Sequence, residues 1–302
     1  MEDPPDIHEP GLFEPRYSAF LETVVHLRPR LHRYCARMTG SVLDGEEVMQ
    51  EALFQAYRKL DTFDAERALS PWLFRIAHNR CVDFLRQREA RQAAEAAVTS
   101  PDPTPACEPE GRGVERAVEH LVVHLPPKER ACILLKDVFD YSLEEIAELV
   151  DSTVGGVKAA LSRARAKLAT IPEASSKPAA SEAELSLLRL YVERFNRRDW
   201  DGVRELTSQD ARLRVADCFA GRLSDSPYFS EYEHSRVPWR MALGQLDGAT
   251  AVVVLRDLGG GMEPTGAVFL EVVDGRIARI ADYYKCPWIL GAAASIAVEG
   301  AS

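Results

Sequence analysis

The chain has 302 residues, a formal net charge of −10 and a hydrophobic content of 46%. That length allows two or three domains, and the acidity argues against a protein that holds DNA unaided, because neutralising phosphates calls for a basic surface. Six cysteines, at positions 35, 81, 107, 132, 218 and 286, contain no CxxC pair, which excludes the zinc-ribbon and redox-motif patterns. His32 and Cys35 have ligand-like spacing, but two such residues on an amphipathic helix make no metal site. No apolar run reaches the roughly 18 residues of a membrane span, and the opening MEDPPDIHEP is acidic and proline-rich, unlike a signal peptide. A cytoplasmic protein with reduced thiols, no metal, no cofactor and no membrane partner is the resulting expectation.

Residues 1–14 read as a disordered tail. From Tyr17 onward, Phe20, Val24, Leu27, Leu31 and Tyr34 recur at helical spacing up to a stop at Gly40. A second helix opens near Asp44 and turns Val48, Ala52, Ala56 and Tyr57 inward, leaving Glu47, Gln50, Glu51 and the apolar Phe54 on its other side. Ser70-Pro71 starts a third helix, with proline in the first turn where its missing amide costs nothing. In this helix Leu73, Ile76, Ala77 and Phe84 can pack inward, while Arg75, Asn79, Val82 and Arg86 line up outward. Trp72, Phe74 and His78 lie nearby, and aromatic rings beside cations suit single-stranded DNA, whose bases stack while its phosphates follow the charge. Residues 91–113, with four prolines and no apolar periodicity, read as a linker.

The stretch from Leu125 to Leu168 carries the helix-turn-helix pattern. Ser142 and Glu145 have capping-box spacing; Leu143, Ile146, Ala147 and Val150 share one face. Asp151-Ser152 breaks the helix, and Val154, Val157, Leu161, Ala164 and Leu168 form the stripe of the next one. That last helix has four basic residues and no acidic one. With its stripe inward, Gly155, Lys158, Ala159 and Ser162 face out, flanked by Arg163 and Arg165. A helix of this kind reads base edges in the major groove with its N-terminal outward residues, and flanking cations take phosphates.

A second linker, 172–182, is followed by helical patterns over 185–195 and 200–206 and then by strands at 251–256, 266–273 and 276–284. Asp274-Gly275 between the last two is a strong hairpin signal. Helices followed by a meander predict an α+β domain with helices on one face of a curved sheet. The triple glycine at 259–261 lacks a following Gly-Lys-Ser/Thr and reads as a loop, not a phosphate cradle.

Residues 15–170 resemble a bacterial sigma factor of the extracytoplasmic-function (ECF) group. DGEEVMQEALFQAYRKL at 44–60 and SPWLFRIAHNRCVDFLRQR at 70–88 are similar to sigma region 2, and LPPKERACILLKDVF with the helix-turn-helix is similar to region 4. The resemblance implies that the partners are core RNA polymerase, at its largest-subunit clamp helices and flap region, and promoter DNA. Asp44, Glu47, Gln50 and Glu51 would meet polymerase. Trp72, Arg75, His78, Asn79 and Arg86 would handle the −10 strand. Lys158, Ala159, Ser162, Arg163 and Arg165 would serve the −35 element, although Ala159-Ala160 stands where relatives often carry Ser-Arg.

Residues 183–288 resemble SnoaL-like domains of the nuclear transport factor 2 (NTF2) superfamily, a cone of curved sheet closed by helices. That likeness implies a pocket, a small ligand and, as its candidate lining, His234, Trp239, Asp282 and Tyr283, without catalytic residues. The expected organisation is therefore a multidomain chain: region 2 at 15–90, the linker at 91–113, region 4 at 114–171, the linker at 172–182, the α+β cone at 183–288 and a tail at 289–302. The principal expectation is a non-enzymatic sigma factor regulated in cis by its cone. The alternatives are a helix-turn-helix regulator independent of polymerase and a bifunctional protein with a cyclase-like or isomerase-like domain.

Overall fold

The computed structural model describes residues 15–64, 68–96, 124–169, 181–216, 218–293 and 295–299. The expected tail at 1–14, most of the linker at 91–113 and nearly all of the linker at 172–182 lie outside these residues.

Three long helices come first: α1 (Pro15–Thr39), α2 (Val42–Lys59) and α3 (Leu69–Ala96). α2 begins where Ser41 accepts a hydrogen bond from the Asp44 amide, the capping arrangement that satisfies an orphan donor. α3 runs beyond the expected boundary at residue 90. Its extension, ARQAAEA, is made of strong helix formers, and no breaker stands before Pro101.

The next unit holds α4 (Pro127–Ile133), continued by a π-turn over Leu134–Val138, then α5 (Leu143–Leu149) and α6 (Val154–Leu168). The capping box is complete, with Ser142 accepting from the Glu145 amide and Glu145 accepting from the Ser142 amide. The two helical regions do not fold as separate bodies. Phe20, Leu31, Tyr34, Leu73 and Phe74 share one buried cluster with Leu134, Phe139, Ile146 and Leu161.

The rest of the described chain is α+β. Helices α7 (Glu182–Asn196) and α8 (Trp200–Leu206) precede strands β1 (Thr207–Val215) and β2 (Phe219–Arg222), and α9 (Tyr228–Glu233) leads to β3 (Trp239–Leu246). Strands β4 (Ala249–Asp257), β5 (Met262–Val273) and β6 (Arg276–Asp282) continue the meander, followed by α10 (Trp288–Ala292) and β7 (Ile296–Val298). The strand order is β2-β1-β6-β5-β4-β3-β7, antiparallel except where β1 pairs with β6. At the expected hairpin, Asp274 and Gly275 have φ of 51° and 73°, as a two-residue primed turn requires. Asp247-Gly248 makes the same turn between β3 and β4.

The sheet is buried on both faces. Alternate residues such as Leu213, Met241, Val252, Val254, Val268 and Ile280 face an aromatic core under α7, α8 and α9. Their neighbours Leu246, Val253, Ala267, Phe269 and Tyr283 pack with Ile289 and Leu290 of α10, and with Ala36 of α1 and Val42 of α2. Period-two alternation thus gives the cone one face for itself and one for the helical unit.

Two expectations are corrected. The described residues of the expected tail, 289–293 and 295–299, are not a plain tail: Ile289, Leu290 and Ala292 are buried, and β7 extends the sheet beside β3. Tyr57, expected inward, is 43% exposed because its ring lies against Tyr17 at the rim of the bundle.

Gly45 sets the α1–α2 crossing, since a Cβ there would lie 2.4 Å from the Ala36 backbone nitrogen. Gly45→Ala is therefore expected to destabilise the chain by about 1–3 kcal/mol, the cost of overpacking a tight contact. Urea unfolding measures it, and an unchanged midpoint would contradict the crossing.

Candidate nucleic-acid and polymerase interfaces

Helix α6 starts at Thr153, whose hydroxyl accepts from the Gly156 amide at 3.0 Å. At Gly156 a Cβ would lie 2.6 Å from the Ser152 hydroxyl, so a larger residue there would turn that side chain aside. Val157, Ala160, Leu161 and Ala164 are buried, which leaves Lys158, Ala159, Ser162, Arg163 and Arg165 on one exposed surface. Of the Ala-Ala pair, Ala160 is core and only Ala159 faces out.

The cations flanking this surface are held by carboxylates of the same unit. Arg163 Nε and Lys167 Nζ each donate to Glu129 at 2.8 Å, and Arg165 pairs with Asp137 at 2.9 Å. Burial raises the Glu129 pKa, but the hydrogen bonds from Lys167 and Arg163 outweigh it and hold the carboxyl below its ordinary value. Lys158 and Ser162 remain exposed beside them.

On α3, Arg75, Asn79 and Arg86 are exposed along one face. Trp72 is half-buried, with its ring 4.6 Å from that of Phe63. His78 does not join this face. It is 7% exposed and shares a 2.8 Å hydrogen bond with the Tyr34 hydroxyl. Burial lowers its pKa to about 4, so the ring is neutral at physiological pH. The spacing that places Trp72 and Arg75 outward carries His78 toward α1.

On α2, Glu47 and Glu51 are exposed, Asp44 and Gln50 are half-buried, and Phe54 is 64% exposed. Asp44 lies 3.8 Å from Arg88. The same helix carries a residue that periodicity did not single out. Glu46 is fully buried, receives Arg28 at 3.1 Å and Gln50 at 2.9 Å on one oxygen, and receives Trp288 Nε1 from the cone at 2.8 Å on the other. Arg28 also lies over the Trp288 ring, 4.3 Å from its centroid.

Arg214 on β1 extends this contact, donating to Gln50 at 3.1 Å and pairing with Glu47 at 3.5 Å. Arg37 reaches Asp247 at 3.2 Å and the Ala292 carbonyl. Two of the four expected polymerase-facing residues thus touch the cone. No local sequence signal marked this hub, because Glu47 and Glu51 share the i,i+4 spacing of Glu46 and Gln50.

Inside the cone, Asp282 Oδ2 accepts from Tyr228 at 2.8 Å and Tyr232 at 2.6 Å, and Oδ1 accepts from the Tyr284 amide at 2.8 Å. Desolvation raises its pKa to about 6 against the lowering effect of the tyrosine hydrogen bonds. Trp239 belongs to the same aromatic core and donates to the Tyr232 carbonyl. His234 is exposed and bonded to Ser230, and Tyr283 packs on the opposite sheet face. The four candidate lining residues are therefore not brought together, since adjacent strand residues alternate faces and α9 ends before His234. Among the described residues, no group of three or more His, Cys, Asp or Glu could hold a metal, and no helix is long and apolar enough to cross a membrane.

The Asp282 shift has a defined sign. Its folded-state pKa, about 6, lies above the ordinary 3.8, so the fold binds the proton more tightly than the unfolded chain. The resulting stabilisation is full below pH 4 and is lost as pH rises through 6. Between pH 4 and 7 the stability of the chain relative to Asp282→Asn is expected to fall by roughly 2.4 kcal/mol. Urea titrations at each pH measure it, and a pH-independent difference would contradict the assignment.

Sequence profiles for Sigma-70 region 2 and Sigma-70 region 4 match residues 23–91 and 115–168. The ECF RNA polymerase sigma factor SigW of Bacillus subtilis is 32% identical, with the match covering 50% of this chain and 87% of SigW. SigG of Mycobacterium tuberculosis, also an ECF RNA polymerase sigma factor, is 31% identical over 61% of this chain, which spans only 58% of SigG. The crystal structure of the M. tuberculosis ECF sigma factor SigJ is similar over 87% of this chain and 95% of that one, with 18% identity and a TM-score of 0.36. With both regions matched in order and most of SigW covered, the chain belongs to the family of ECF RNA polymerase sigma factors.

Proposed function

We propose that this chain associates with core RNA polymerase in the cytoplasm and directs it to promoters. In this reading α6 contacts the −35 element and α3 the −10 strand. The observation that carries it is the coexistence of two exposed reading surfaces, Lys158, Ala159 and Ser162 on α6 and Arg75, Asn79 and Arg86 on α3, in an otherwise acidic chain. Core polymerase, meeting the acidic and apolar side of α2 through its clamp helices and region 4 through its flap, supplies the nonspecific affinity that the chain's own charge cannot.

The cone acts in cis. It contacts Glu47 and Gln50 through Arg214, so the docked form competes with polymerase for part of α2. A regulatory role also fits the cone interior, where Tyr191, Phe195, Tyr228, Tyr232 and Trp239 pack against one another and all three hydrogen bonds to Asp282 come from the domain itself. Neither a small ligand nor a cyclase-like reaction is needed for this role.

Reconstituted transcription from a randomised promoter library tests the reading. The full chain is expected to select two separated elements. Lys158→Ala with Ser162→Ala should relax the upstream one and Arg75→Ala with Asn79→Ala the downstream one, each by about 10–100-fold. A chain ending after Pro172 should bind core polymerase several-fold more tightly. Failure to select any element would contradict promoter recognition, and unchanged polymerase affinity after truncation would contradict cis control.

A further inference from the structure

Three parts of the chain border a cleft of about 380 Å³. Helix α1 contributes Arg30 and Arg33, the segment after the π-turn contributes Phe139 and Asp140, and α10 of the cone contributes Trp288 and Gly291. Junctions between units are preferred places for small molecules, because meeting walls supply concavity.

The walls are held before any ligand arrives. The Phe139 ring lies edge-on to Tyr34 and Phe74, at 5.9 and 6.0 Å between centroids. The Trp288 ring has Arg28 4.3 Å from its centroid and donates through Nε1 to Glu46. Arg30 lies 5.8 Å from the centroids of both Phe74 and Phe139 and reaches the Phe139 carbonyl at 3.5 Å. Side chains already held in place lose little freedom on binding. Gly291 keeps its wall open, since a Cβ there would meet nothing within 4 Å.

The lining defines the chemistry of an occupant. Arg30 and Arg33, three residues apart on one side of α1, present two guanidinium groups, which suit a carboxylate. Asp140 is the one carboxylate among the lining residues, so the cleft carries an excess of one positive charge in a chain of net charge −10. That balance suits a monoanion and disfavours a phosphate dianion. Pro29 and Val138 join Phe139 and Trp288 in offering apolar surface, which a flat ring covers well.

We propose that this cleft is a binding site for a small flat aromatic acid, its carboxylate at Arg30 and Arg33 and its ring against Phe139 and Trp288. The site is separate from the cone interior and from the α3 and α6 surfaces assigned to DNA. A ligand that touches all three units stabilises the docked chain, because it binds that form in preference to the undocked one. Its effect on polymerase rests on the cis reading above, whereas its binding does not.

The probe is 8-anilinonaphthalene-1-sulfonate, a flat aromatic monoanion that fluoresces when it leaves water. It is titrated into the full chain and into full chains carrying Gly291→Phe or Arg33→Met. The first variant puts a ring into the open space, and the second keeps the apolar stem while removing the charge. The competitors are 2-naphthoate and its uncharged amide, 2-naphthamide. Thermal unfolding without probe establishes that each variant is folded.

One probe is expected to bind per chain, at least about tenfold more weakly in either variant. The acid should displace it at a concentration at least about tenfold below the amide, the difference that a charged hydrogen-bonding partner makes. Unchanged probe affinity in either folded variant overturns the site, as does equal displacement by acid and amide. If one variant fails to fold, the other variant and the acid–amide comparison decide. At ten times its Kd, 2-naphthoate is expected to weaken core-polymerase binding by about tenfold. Unchanged polymerase affinity beside the expected probe results refutes cis control and supports the site, and absence of probe binding in a chain that still binds polymerase refutes the site alone.

Discussion

The arrangement of this molecule depends on one buried carboxylate. Glu46 sits in α2 at the junction of the helical unit and the cone, and burying a carboxylate is unfavourable unless partners replace its water. Arg28 and Gln50 supply two of those partners from the helical unit, and Trp288 supplies the third from the cone. The Trp288 ring also lies under Arg28, so one side chain meets both members of the ion pair. Docking is thus specified by a hydrogen bond that a shifted cone would leave unmade, while Ala36, Val42, Phe269 and Ile289 provide the apolar area.

The same economy of partners governs the charges proposed to meet DNA. The chain is acidic overall, and three of the four cations on α6, Arg163, Arg165 and Lys167, are held by Glu129 and Asp137. In the proposed function a phosphate would have to exchange with these carboxylates, which would lower affinity for arbitrary duplex and leave polymerase to supply the rest. The cone applies the same logic to α2, where Arg214 occupies Glu47 and Gln50. The proposed cis control and a weak autonomous affinity for DNA would in this sense follow from one electrostatic design.

Much of this was legible in the residues. Helical periodicity placed α1 to α3, the Ser142–Glu145 pair marked the start of α5, and Asp274-Gly275 fixed a hairpin, because these signals are local. The exposed faces of α3 and α6 followed from the 100° rotation per residue. What depends on contact between distant segments was not legible. Nothing local distinguishes Trp288 from an aromatic residue in a tail, yet it is the anchor of the interface. Glu46 reads like Glu47 until the cone covers it. His78 has the composition of a strand-reading residue but turns toward Tyr34, and His234 and Tyr283 fall away from Asp282 through the path of the chain and the alternation of β6. The Asp247-Gly248 turn was readable and marks β3, which composition alone did not reveal.

The central claim, that the cone is docked through Trp288 on the surface proposed to meet polymerase, is tested most directly by hydrogen exchange on the full chain with and without saturating core polymerase. The account expects amides of residues 288–293 to be protected in the free chain and to lose at least about tenfold protection when α2 becomes protected by polymerase, as a locally undocked unit would. Protection of 288–293 that persists unchanged in the polymerase complex would contradict it.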